Sequence, residues 1–93
     1  MNENQTMKVI VEVLTELQER SGREVTSMNG SICPIGDLPG FDSLNGVEAT
    51  VELADRLGVE LAGVNSFVNA EGTKALSISE IAANICACSS GKD

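Results

Sequence analysis

The sequence predicts an all-α chain folded as a small antiparallel helical bundle, and three observations carry that expectation. Three stretches place apolar residues at three- and four-residue steps, the signature of helices with one buried face. No stretch alternates apolar and polar residues as a strand does, and there is no internal repeat or low-complexity tract. At 93 residues the chain is expected to form one domain over 1–93 with a thin core, since a chain this short buries only about 60–65% of its unfolded surface. The helical core is expected over about 5–88, followed by a flexible tail over about 89–93.

The first helix is read from Thr6 to about Ser21. Met7, Ile10, Val13, Leu14 and Leu17 share one side, Lys8, Glu12, Glu16 and Glu19 the other, and Gly22 stops it. From Arg23 to Asp42 the chain carries Gly30, Pro34, Gly36, Pro39 and Gly40, too many breakers for a regular element, so a long loop is expected. Ile32, Ile35, Leu38 and Phe41 are spaced through that loop. It is expected to lie over the core, because each large apolar side chain left in water forfeits about 1.5–3 kcal/mol.

A second long helix is read from Ser43 to about Leu57, with Gly58 as its stop. Between Ala62 and Ala75, Val64, Phe67 and Val68 suggest a short helix or turn, while Asn69 and Gly72 point to an irregular remainder. The last helix carries Ile78, Ile81, Ala82 and Ile85 and follows Ser77-x-x-Glu80. In that arrangement serine and glutamate each satisfy an amide that the helix start leaves open.

Composition narrows the function. The net charge of −8 disfavours nucleic acid and anionic lipid, because reading phosphates takes clustered Lys and Arg; a basic protein partner fits better. Aromatic residues are only 2% of the chain, Phe41 and Phe67, so the core is aliphatic and a stacking site is not expected. No apolar run approaches the roughly 18 residues of a membrane span, and the polar Met1–Asn4 start lacks a signal pattern, so a cytoplasmic protein without membrane insertion is expected. Cys33, Cys86 and Cys88 are an odd number, and with zero histidines they make a poor zinc set, so reduced thiols are expected. A small metal or redox protein using them is a third class, which requires stoichiometric metal or a disulfide in purified material.

The helix from Ser43 has two apolar arcs. At about 100° per residue, Ala49, Leu53 and Leu57 gather on one side with Gly46 and Thr50 among them, whereas Leu44, Val47 and Val51 fall on another. Beside this second arc lie Glu48, Glu52 and Asp55. One reading makes Leu44, Val47 and Val51 an exposed apolar strip beside acids, suited to a partner with a hydrophobic groove and a basic rim. The plainer reading makes the valines core and the acids a solvated face. Glu52 and Arg56 stand four apart and are placed to pair.

Ser43 is no hydrolase nucleophile, since the chain has no histidine to act as its base and no Gly-x-Ser-x-Gly elbow. Its helix N-terminus, however, offers open amides and partial positive charge, which suit a hydroxyl that another enzyme converts to a phosphodiester. The plainer alternative makes Asp42 or Ser43 an N-cap worth about 1 kcal/mol.

Gly40-Phe41-Asp42-Ser43-Leu44, followed by Val47-Glu48 and the Leu53–Leu57 turn, resembles the acyl carrier protein family, whose Asp-Ser-Leu motif carries phosphopantetheine. The resemblance extends over nearly the whole chain and implies a four-helix bundle with a long loop between helices 1 and 2. It implies that Ser43 carries a covalent 4′-phosphopantetheine, with Asp42 as its motif neighbour, attached by a separate phosphopantetheinyl transferase (holo-acyl-carrier synthase) that supplies the base and magnesium. It further implies docking by Leu44, Val47, Glu48, Val51, Glu52 and Asp55 to acyl-transferring and ketosynthase-type enzymes with basic patches. The chain would then be a stand-alone monomeric carrier, not itself an enzyme, that shuttles thioester-bound acyl groups in fatty-acid, specialised lipid or polyketide biosynthesis. The rival from another class is a carrier-like acidic interaction module that is never modified.

Three departures from the family pattern set further expectations. Asn45 stands where a typical fatty-acid carrier has an acidic residue, and Gly46 follows it. Glycine costs about 1 kcal/mol in a helix interior, so a looser first turn is expected. The stretch from Ala62 to Leu76 is longer than the family pattern and lacks its acidic run, so a rebuilt third-helix region is expected.

Overall fold

In the computed structural model, which describes residues 2–23, 27–61, 65–69 and 71–90 with only the backbone of 88–90, helix α1 spans Glu3–Arg20. It begins three residues before the expected Thr6 because Asn2 and Gln5 form a reciprocal cap: Gln5 N–H donates to Asn2 Oδ1 at 2.8 Å and Asn2 N–H to Gln5 Oε1 at 3.2 Å. Ile10, Val13 and Leu14 are buried on α1, and so are Thr6 and Gln18, two polar residues absent from the apolar pattern. Gln18 is accommodated because its amide donates to the Pro39 carbonyl at 2.8 Å and thereby ties the loop to α1.

The long connection contains one turn, α2, over Pro34–Asp37, whose Ile35 and Gly36 leave helical backbone. It lies over the core, in line with the spacing of its apolar residues: Leu38 and Phe41 are buried, and Ile32 and Ile35 are half-buried against the core cluster. Residues 24–26 of this connection lie outside the described residues.

Helix α3 spans Ser43–Leu57 and ends at Gly58 in the left-handed conformation, φ 66°, which glycine adopts without steric cost. Gly46, Ala49, Thr50 and Leu53 form its buried face, the arc expected from the 100° wheel, with Leu57 half-buried beside it. Helix α4 spans Ile78–Ser90, so backbone helix reaches two residues beyond the expected end of the core at 88. The rest of the tail expectation, 91–93, falls outside the described residues. Helix α1 packs against both α3 and α4.

No strand occurs among the described residues; Val68 and Ala75 make an isolated antiparallel bridge that closes the irregular stretch before α4. The expectation of a short helix or turn there resolves at Ser66–Phe67 as a turn, while 62–64, with Val64, lie outside the described residues. Phe67 from this stretch is fully buried and meets Phe41 at 5.7 Å between ring centroids, tilted by 58°. Such a pair contributes about 0.5–1.5 kcal/mol beyond its buried area. The chain's only two aromatic rings therefore join the loop before Ser43 to the stretch after α3.

Candidate functional site

Ser43 is the first residue of α3, and Asp42 is its N-cap. Asp42 Oδ1 accepts from Asn45 N–H at 3.1 Å, and Asp42 N–H donates to Asn45 Oδ1 at 3.2 Å. Asn45 is thus half of a reciprocal cap, and the first turn is fastened where a looser one was expected. The plainer alternative, that Asp42 or Ser43 caps the helix, holds with Asp42 as the cap.

The Ser43 side chain is exposed and makes no hydrogen bond to another described residue. With Asn45 N–H bonded to Asp42 and Gly46 N–H donating to the Asp42 carbonyl at 3.0 Å, the amides of Ser43 and Leu44 are the donors the first turn leaves open among the described residues. Arg23 lies against this turn. Its Nη1 donates to Asn45 Oδ1 at 3.3 Å and to Gln18 Oε1 at 3.4 Å, both neutral acceptors, with no carboxylate in ion-pair range among the described residues. Gly40 gives the guanidinium room, since a Cβ there would come within 2.7 Å of Arg23 Nε. Helix dipole and guanidinium both favour negative charge at the start of α3.

Leu44 and Val51 are the large apolar side chains that α3 exposes, at 71% and 66%, and Val47 between them is half-buried. Val51 therefore lies outside the core, against the reading that buries both valines, and Val47 is only partly covered. Of the acids beside the strip, Glu48 and Asp55 are exposed and make no ion pair among the described residues. Glu52 pairs with Arg56 at 3.0 Å, as the spacing allowed. Arg56 also bonds Glu16 of α1, a partner 40 positions away. That bond holds the Glu16 carboxyl below its ordinary value of 4.5, and the two glutamates raise the arginine above its usual range. The negative charge α3 shows to solvent is thus concentrated on Glu48 and Asp55.

The reverse side of the first turn meets the stretch after α3. Asn65 Nδ2 donates to the Ser43 carbonyl at 3.1 Å, and its Oδ1 accepts from Phe67 N–H at 2.9 Å. A Cβ on Gly46 would stand 2.6 Å from Asn65 Oδ1 and 2.9 Å from its Nδ2, so a side chain here would have to displace the Asn65 carboxamide. One step further along, Ser66 N–H donates to Thr50 Oγ1 at 2.8 Å, which in turn donates to the Gly46 carbonyl at 2.7 Å. The sequence places Thr50 on the buried arc and Arg23 at the start of the loop without showing their bonds, carries no local signal for Asn65, and holds the α3 cap only in the spacing of Asn45 three residues after Asp42.

Other features lie apart from this turn. An open groove of about 400 Å³ is lined by Met7, Val11, Met28 and Ile78 with polar neighbours, and no residue of α3 borders it. Cys33 and Cys86 are half-buried, with Cys86 Sγ at 3.3 Å from Thr6 Oγ1, and no three His, Cys, Asp or Glu gather around a metal-sized space among the described residues. No helix among the described residues is long and apolar enough to cross a membrane. Comparison of the chain with family models, curated proteins and solved structures gave no match.

Proposed function

We propose that this chain is an acyl carrier domain modified on Ser43. The observation that carries the reading is one juxtaposition: an exposed, uncommitted hydroxyl opens a capped helix, directly beside an exposed Leu44 and Val51 flanked by Glu48 and Asp55. In this reading α1, α3 and α4 stand for the first, second and last helices of the family's antiparallel four-helix bundle, α2 is a turn within the long loop, and the third-helix region is irregular over its described residues.

The residues fit a phosphodiester at this point. Its charge would sit at the helix start that leaves the Ser43 and Leu44 amides open, on the same first turn where the Arg23 guanidinium bonds Asn45, and Ser43 Oγ would give up no hydrogen bond to react. In the transfer, Ser43 Oγ attacks the pyrophosphate phosphorus of coenzyme A; an Oγ–P bond forms, a P–O bond breaks, adenosine 3′,5′-bisphosphate leaves, and the hydroxyl proton passes to the transferase's base. When attached, the phosphopantetheine arm supplies a thiol that holds acyl groups as thioesters. Leu44, Val47 and Val51 provide apolar contact for partner enzymes, while Glu48 and Asp55 steer basic patches toward them.

Mass spectrometry of the protein incubated with coenzyme A and a permissive transferase tests this directly. The expected result is one phosphopantetheine adduct, absent in Ser43→Ala. No adduct under conditions that modify a control carrier would favour the unmodified interaction module, for which the exposed strip is sufficient.

A further inference from the structure

We infer that Asn65 is a positioning residue for the modification of Ser43, a role that rests on the function proposed above. Asn65 is the side chain that spans from the serine to the core. Its Nδ2 holds the Ser43 carbonyl at 3.1 Å, and its Oδ1 holds the amide of Phe67 at 2.9 Å. Phe67 is fully buried and its ring meets that of Phe41, two residues before the serine, at a tilt. The backbone on both sides of Ser43 is therefore referred to one buried aromatic pair, upstream through Phe41 and downstream through Asn65.

Gly46 shows that the fit is close rather than incidental, because any Cβ at that position would occupy the space of the Asn65 carboxamide. The two ends of Asn65 have separable roles. The oxygen supports Phe67, a structural task, while the nitrogen is the only atom of the side chain that reaches Ser43. A serine whose backbone is pinned presents its Oγ in one place, and misplacing a reacting atom by about 1 Å costs up to about a hundredfold in rate.

Asn65→Asp keeps an acceptor for Phe67 N–H and removes the donor to Ser43; Asn65→Ala removes both. Hydrogen exchange on the unmodified protein should show Phe67 N–H protection retained in Asn65→Asp and lost in Asn65→Ala. Steady-state transfer from coenzyme A, run where circular dichroism shows every variant folded, should show kcat reduced about tenfold in both variants. KM for the carrier should be unchanged, since Leu44, Val51 and Glu48 remain in place. Transfer to Asn65→Asp at the wild-type kcat, with only Asn65→Ala impaired, would reduce Asn65 to a support for Phe67 and overturn the inference while leaving the Ser43 assignment standing. Failure of wild-type protein to accept the group beside a modified control would overturn the function itself, and this role with it.

Discussion

Helices α3 and α4 begin with the same device and put it to opposite ends. Each opens with a reciprocal side-chain cap, Asp42 with Asn45 on α3 and Ser77 with Glu80 on α4. At α4 the remaining amides are also consumed: Ile78 N–H donates to the Ile32 carbonyl at 2.9 Å and Ser79 N–H to the Gly30 carbonyl at 3.0 Å. At α3 the corresponding amides, of Ser43 and Leu44, stay open, and Arg23, which makes no ion pair, lies nearby, both among the described residues. The long loop crosses over the start of α4 and leaves the start of α3 exposed. A capping motif in a sequence therefore fixes where a helix begins; what packs around it decides whether that start is closed or available to an anion.

The largest expected difference between the two starts is chemical. Peptide mapping of protein treated with transferase and coenzyme A should place the adduct on Ser43 alone, with Ser77 and Ser79 unmodified although Ser79 is also exposed. Label on Ser79 that survives Ser43→Ala would erase the distinction. Next in size is the anchoring of the α3 start: Phe67→Ala should cost about 3–5 kcal/mol of unfolding free energy by urea titration, because it empties a fully buried site and releases Phe41. A loss under 1 kcal/mol would mean the loop is held some other way.

Gly46→Ala sharpens the comparison through its sign. Helix propensity alone favours alanine by about 1 kcal/mol. Displacing Asn65, however, forfeits two hydrogen bonds worth about 1 kcal/mol each, so a net destabilisation of about 1 kcal/mol is expected. A stabilised variant would show that Asn65 is easily moved.

Smaller still is the pH dependence of the α4 cap. The Ser77 backbone amide holds the Glu80 carboxyl below its ordinary value of 4.5, so folding is favoured by the ionised form. That contribution is fully present above about pH 4.5 and is lost as pH falls through the lowered folded-state value. The stability gap between wild type and Glu80→Gln should be flat from pH 7 to 5 and close below pH 4.5; a gap that widens on acidification would refute the cap's charge dependence. Smallest is the effect of salt on partner affinity, which should weaken as screening shortens to about 8–10 Å if Glu48 and Asp55 steer encounter. A salt-insensitive affinity would leave docking to Leu44 and Val51.

Sequence periodicity determined most of the helical frame on its own. A 3.6-residue repeat with Gly58 behind it or Ser77-x-x-Glu80 ahead of it is a local signal, written within a few residues of the element it specifies. The exposed strip was half legible, since the wheel separated Leu44, Val47 and Val51 from Leu53, yet an angle states only that two arcs differ and not which one is covered. The start of α1 was misplaced because its cap uses Asn2 and Gln5 ahead of the first apolar residue. The pairing of Glu16 with Arg56, the burial of Gln18, and the hold of Asn65 on Ser43 join residues 40, 21 and 22 positions apart. No periodicity encodes such contacts, because hydrogen bonds across the fold depend on how the loop and helices approach in space. The sequence thus set where the helices run and offered a serine; tertiary packing decided that this serine stays in water while its backbone is tied to the core.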